Sequence, residues 1–228
     1  MKTKALKPIL LSVLTAFAII ACERAPKGDE AKITEKEQAV EPVGETFTLD
    51  SSRSWVKFTG HGVGKNHPGT FKVSQGTVSI ENDSLSGGSF LIDIKSIKLE
   101  QQEKNIKTKL RPHLLSGDFL DAENFGTAKF EITNVTPFIP EEGNKSLVEG
   151  ANFYISGNLT LKEVTKNISF PAQVNLDGQT LKGKANFDID RSQWQINYGN
   201  DKTLGDQFIS EKVNIELYVE ARNEKGSI

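Results

Sequence analysis

The chain has 228 residues, of which 36% are hydrophobic and 25% charged, with a net charge of −2. That is the composition of an ordinary folded protein, and it lacks the basic excess that a phosphate backbone demands of its partners. Nucleic acid is therefore excluded as the expected partner.

The chain opens with Lys2, Lys4 and Lys7, followed by an apolar run from Ile9 to Ala21. A membrane-spanning helix needs roughly 20 apolar residues, so a positive head on a shorter run reads as an export signal over residues 1–21. The run ends Ile19-Ile20-Ala21-Cys22, and Cys22 is the only cysteine. This resembles a bacterial lipobox, in which the cysteine is acylated and becomes the first mature residue. The plainer alternative is an ordinary signal peptide that happens to end in a cysteine. On the lipobox reading the protein is lipid-anchored in a bacterial cell envelope, with the outer membrane favoured, facing the periplasm or the cell surface. The mature chain then has neither a disulfide nor a thiol nucleophile. Asn82, Asn144, Asn158 and Asn167 head Asn-x-Ser/Thr triplets, which matter only if the lipobox reading fails.

Residues 22–45 carry mixed charge, Pro26 and Pro42, and no aromatic residue. Such a stretch is expected to be a flexible tether, with ends on the order of 25 Å apart.

From Phe47 onward apolar and polar residues alternate, the period of a strand with one dry face. Val56-Phe58, Phe71-Val73, Phe90-Ile92-Ile94, Phe130-Ile132, Phe170-Ala172-Val174, Ala185-Phe187-Ile189 and Val213-Ile215-Leu217 are among the runs. Turn residues such as Asn82-Asp83 and Asp177-Gly178 separate them. Only between Glu100 and Leu120 does the spacing turn helical, through Ile106, Leu110 and Leu114, with Pro112 fitting the first turn of a second short helix. About eight antiparallel strands in a domain spanning 46–222 close most economically into an all-β, lipocalin-like barrel, followed by a tail at 223–228. The interior of an eight-stranded barrel either fills with its own side chains or holds one small ligand. The pattern leaves both open; a ligand held there would be greasy.

Four chemical readings are tested against spacing. Gly60–Gly69 places glycines before Lys65, but Thr59 stands at the first glycine position of a phosphate loop and Asn66 follows the lysine. His61, His67 and His113 match no compact metal motif. No Gly-x-Ser-x-Gly elbow surrounds any serine. Asp118, Asp121 and Glu123 lie where a helix gives way to a strand, which suits turn-forming carboxylates better than an acid/base pair.

Three stretches resemble the YceI-like family of bacterial periplasmic proteins: residues 113–135 (HLLSGDFLDAENFGTAKFEITNV), 155–174 (ISGNLTLKEVTKNISFPAQV) and 187–199 (FDIDRSQWQINYG). Leu120, Gly126, Glu163 and Asn167 depart from that family's pattern. The resemblance implies a lipocalin-like barrel around a polyisoprenoid or similar amphiphilic lipid, with no catalytic residue, metal or cofactor beyond that lipid. It makes residues 113–133 a structural corner. The expected lining is Phe90, Ile92, Ile94, Phe130, Ile132, Phe170, Val174, Phe187 and Ile215, with Arg191 and Trp194 at the rim. Arg191 is open to two roles: gripping an anionic headgroup, or clamping the corner through Asp190 or Asp118. The rival functions are an enzyme using His113 with Asp118 or Asp121, and a ligand-free interaction module of an envelope stress response. A homodimer is left open.

Overall fold

The computed structural model describes residues 24–143 and 145–223. The export signal and Cys22 lie outside the described residues. Strands β1 (Asp29–Glu30), β2 (Lys32–Glu35) and β3 (Glu45–Leu49) precede β4 (Trp55–Gly62), β5 (Lys65–Glu81), β6 (Ser84–Leu99) and β7 (Thr127–Pro137). Then follow β8 (Phe153–Leu161), β9 (Val164–Asp177), β10 (Thr180–Asp190) and β11 (Lys212–Arg222).

Each of β4 to β11 pairs antiparallel with the next, and β11 pairs back onto β4 through Asn214↔Thr59 to Tyr218↔Trp55. The sheet thus closes into the expected eight-stranded barrel, which removes the edges an open sheet would expose. Strand β3 continues the line of β4, pairing with β5 and β11 beyond the turn at residues 50–54. The β5–β6 hairpin turns at Asn82 and Asp83, both with positive φ, as a tight hairpin matched to strand twist requires.

One end of the barrel, here called the mouth, carries the β4–β5 hairpin, the helical segment and the long connection from β10 to β11. The helical segment is a π-type turn, Ile106–Leu110, running into α1 (Arg111–Leu115), with Pro112 in its first turn. Ala122, Ala128, Ile92 and Ile94 bury this segment's following corner against β6 and β7. At the far end Phe47, Ile80 and Ala221 pack together in the core.

The N-terminal stretch departs from expectation. β9 and β10 pair only as far as Gln173↔Lys184, and towards the mouth they separate. β1 fills the gap parallel to β10, and β2 fills it antiparallel to β9, through Lys32↔Ser169 to Glu35↔Lys166. Residues 29–35 are a ninth element of the wall rather than a tether. The reason lies in the partner strand. Pro171 has no N–H to donate and falls between the last β9–β10 pair and the first β2–β9 pair, where a ladder can change partners. Low hydrophobicity does not prevent pairing here, since the two neighbouring strands supply a ready-made template and only Ala31 and Ile33 need a dry side.

After β2 the chain recrosses the outside of the barrel. The Asn158 side chain accepts from Glu37 N at 3.0 Å and donates to Glu37 O at 2.7 Å, standing in for a strand partner. Asn167 Nδ2 donates to Thr133 Oγ1 and to Asn158 Oδ1. Val40 N donates to Ile132 O, at a bulge in the β7–β8 ladder. Asn158 and Asn167 are only 2% and 1% exposed, so the folded chain cannot offer either to a glycosyl transferase.

The far end is held by a charged knot. Glu220, buried on β11, accepts from Arg53 Nη1 at 3.2 Å, Arg222 Nη2 at 3.1 Å and the Tyr218 hydroxyl at 3.3 Å. The bond from Arg222 leads in holding its carboxyl below the ordinary carboxylate range, against the opposing effect of desolvation. A carboxyl whose pKa is depressed by folding adds stability above its unfolded value, and loses it as pH falls through the folded one. Glu220→Gln is therefore expected to lower Tm at pH 7. The gap between variant and parent should close as pH drops below about 4.3, the ordinary glutamate value. Thermal melts across that range check it.

The candidate lipid site: a barrel cavity with one mouth

The dry faces of the strands do not meet at the barrel axis. They enclose a cavity of about 620 Å³, open at the mouth, within the range of sites that take drug-sized ligands. Bulges make this possible: the register shift between Val73 and Gln75 lets both Val73 and Val78 face inward from one strand.

Large side chains and glycines are interleaved around the lining. Phe130 lies over Gly157, where an added Cβ would come within 2.2 Å of its ring, and Phe90 lies over Gly76. Phe170 and Phe187 stack with centroids 4.0 Å apart, and Phe130 stands 6.0 Å from Phe170. Phe90 and Phe130, seated over positions with no side chain, leave room at the centre. Gly183 leaves a gap of its own, since an added Cβ would meet only Val219, at 3.9 Å.

All nine apolar residues named from the sequence, Phe90, Ile92, Ile94, Phe130, Ile132, Phe170, Val174, Phe187 and Ile215, line this cavity. Trp194 does not. It lies in a 3₁₀ turn, Arg191–Trp194, that follows β10 and carries its ring back into the core, where Nε1 donates to Leu159 O at 3.0 Å. Sequence reasoning also passed over Phe58, Phe71 and Leu217, whose alternation was the available signal, and Phe119 and Tyr198, which carry no periodicity at all.

Arg191 borders the cavity, but its donors are turned into the fold. Nε donates to Ser210 O at 3.0 Å, Nη1 donates to Ile196 O, and Nη2 donates to Tyr198 O at 2.8 Å and Ile209 O at 3.0 Å. The guanidinium clamps the β10–β11 connection through carbonyls, rather than gripping a headgroup or bonding Asp190 or Asp118. Asp190 instead caps its own turn through Ser192, and Asp118 bonds His113. Burial lowers the Arg191 pKa, while the charges of Glu211 and Asp190 oppose the shift.

The histidines do not converge. His61 Nδ1 pairs with Asn66 Oδ1, His67 Nδ1 with Gln101 Oε1, and His113 Nε2 with Asp118 Oδ2 at 2.9 Å. His113 packs edge-on against Phe119 and Tyr198 at the mouth, with centroids 5.1 and 4.5 Å away. A serine nucleophile here would need its hydroxyl on the imidazole, but Ser116 Oγ donates to the backbone carbonyl of His113. Asp121 has a left-handed backbone and holds Asn124 Nδ2 on both carboxylate oxygens, so Asp118 and Asp121 are engaged with different partners.

A closed antiparallel barrel, an apolar cavity and this corner coincide with a match to the YceI-like domain over residues 47–221. The chain belongs to the YceI-like family. A UPF0312 protein of Ectopseudomonas mendocina is 31% identical over 156 residues, 67% of this chain and 72% of its own length. A UPF0312 protein of Vibrio vulnificus is 29% identical over the same shares of 67% and 72%. Among solved structures, Burkholderia cenocepacia BcnA superposes with a TM-score of 0.60 at 20% identity, covering 76% of this chain and 99% of its own. A polyisoprenoid binding domain from Saccharophagus degradans, implicated in plant cell wall breakdown, gives 0.56 at 14% identity, over 78% and 98%. At those identities the superpositions establish the YceI-like barrel itself.

The clamp makes a prediction. A buried carbonyl left without a donor costs roughly 1–3 kcal/mol, so Arg191→Gln should destabilise the domain by about 3–5 kcal/mol after the loop relaxes. Urea denaturation measures this. A loss under about 1 kcal/mol would mean that the clamp contributes little.

Proposed function

We propose that this protein is an envelope lipoprotein whose barrel binds a long-chain apolar or isoprenoid lipid, for carriage, storage or shielding. The observation that carries the reading is the open, almost wholly apolar cavity, which a packed interaction module would not retain. The Saccharophagus domain, named for polyisoprenoid binding, shares the fold and supports the same class of ligand. The lipobox at Cys22 supports anchoring. The rival enzyme reading draws on the His113–Asp118 pair at the mouth, but the nearby Ser116 hydroxyl is bonded to the His113 carbonyl and not to its ring. The function is binding without chemistry on the ligand.

Burying apolar surface contributes roughly 25 cal/mol per Å², partly offset by ordering the tail. Affinity for a series of prenyl alcohols should therefore rise with chain length and level off once the cavity is full. Gly183→Phe projects a ring toward the cavity from a position where an added Cβ meets only Val219, at 3.9 Å, and it should abolish retention of co-purifying lipid while leaving Tm within a few degrees of the parent. Mass spectrometry of organic extracts from parent and variant checks both the ligand and the block. Equal lipid in the two would place binding elsewhere.

A further inference from the structure

The route of the N-terminal chain fixes more than the wall. Asn66, beside the tip of the β4–β5 hairpin at the mouth, donates from Nδ2 to Arg24 O at 2.9 Å. From there the chain crosses to Asn186 and Asp188 on β10 and enters the wall as β1. Cys22 stands two residues before Arg24 in the sequence. Two extended residues reach at most about 7 Å. An eleven-residue strand is about 35 Å long, and tilted as barrel strands are, it gives a barrel on the order of 25–30 Å high. A 7 Å leash starting at the mouth cannot present the far end to the bilayer.

The structure assigns the mouth of the barrel as the membrane-facing surface of the anchored protein, its partner being the headgroup layer of the bilayer that holds Cys22. This rests on the lipoprotein reading above. Three apolar side chains at or beside the mouth suit that contact: Val63 at the hairpin tip is 53% exposed, Tyr198 46% and Leu204 42%. Exposed apolar residues alone do not choose an end, because Ile139, Leu147 and Leu176 are exposed away from the mouth; the attachment of Arg24 does. The cavity then opens onto the membrane, and a lipid tail passes between bilayer and barrel without crossing water. A protein so placed exchanges ligand with its own membrane instead of shuttling between two.

The test uses the full lipidated chain in phosphatidylcholine vesicles doped with a lipid that carries a nitroxide on its headgroup. Acylation blocks Cys22, so single introduced cysteines can be labelled with a fluorophore. Val63→Cys and Leu204→Cys report on the mouth, and Ser84→Cys and Gln179→Cys on the far-end hairpins. Quenching at the two mouth sites should exceed that at the far sites several-fold. A flexible insert of about ten residues between Glu23 and Arg24, with a reach of roughly 17 Å, should erase most of the difference. Equal quenching at all four sites, stronger quenching at the far sites, or release of the protein from the vesicles overturns the proposal. An empty cavity in the extraction experiment would leave the quenching pattern unchanged, so failure of the ligand reading and failure of the orientation are separable.

Discussion

A closed sheet must satisfy every backbone donor and acceptor in its wall, and one residue prevents eight strands from doing so alone. Pro171 cannot donate, and beyond it β9 and β10 no longer pair. Two facing strand edges in the middle of a barrel would admit water to the interior or invite a foreign strand. The chain meets this constraint with its own N-terminal residues, which pair with both edges at once. The position of the mouth relative to residue 24, the bonding of Glu37 to Asn158 on β8 and the burial of Asn158 and Asn167 all follow from that insertion.

The cavity has a different origin. Alternation decides which residues face inward, but volume depends on how their bulk is distributed around the ring. Here phenylalanines are set against glycines, so the rings lie along the wall over positions with no side chain to displace them. Had the same residues been arranged with branched aliphatics opposite the rings, they would fill the centre. The polar groups at the mouth are largely committed to one another. Arg191 holds the β10–β11 connection, and the three histidines each bond a neighbouring side chain.

Much of the architecture was legible in the sequence because period-2 alternation and turn residues are local signals. The strands, the two-piece helix around Pro112 and nine lining residues came from them. What was not legible depended on partners distant in the chain. β2 reads Lys-Ile-Thr-Glu, indistinguishable from linker by composition, and becomes a strand only because two edges await it. Arg191 bonds carbonyls, which carry no residue identity that a sequence could reveal. Trp194 was misplaced because a rim position says nothing of which way a 3₁₀ turn carries its ring. The open centre was undecided for a related reason: the pairing of Phe130 with Gly157 is diagonal across two strands and appears only with the register.

The insertion of β1 and β2 also orders events in time. Asp29 and Glu30 find their partners at Phe187 and Asp188, among the most sequence-distant contacts in the wall, and closing such a loop costs entropy before any contact is gained. The hairpins from β5 to β9 are local and can form as their strands appear. The slot for residues 29–35 exists only once β9 and β10 have diverged beside a formed sheet. The part of the folded domain that leaves the ribosome first is therefore the part that docks last, and until then the nascent barrel carries an open seam.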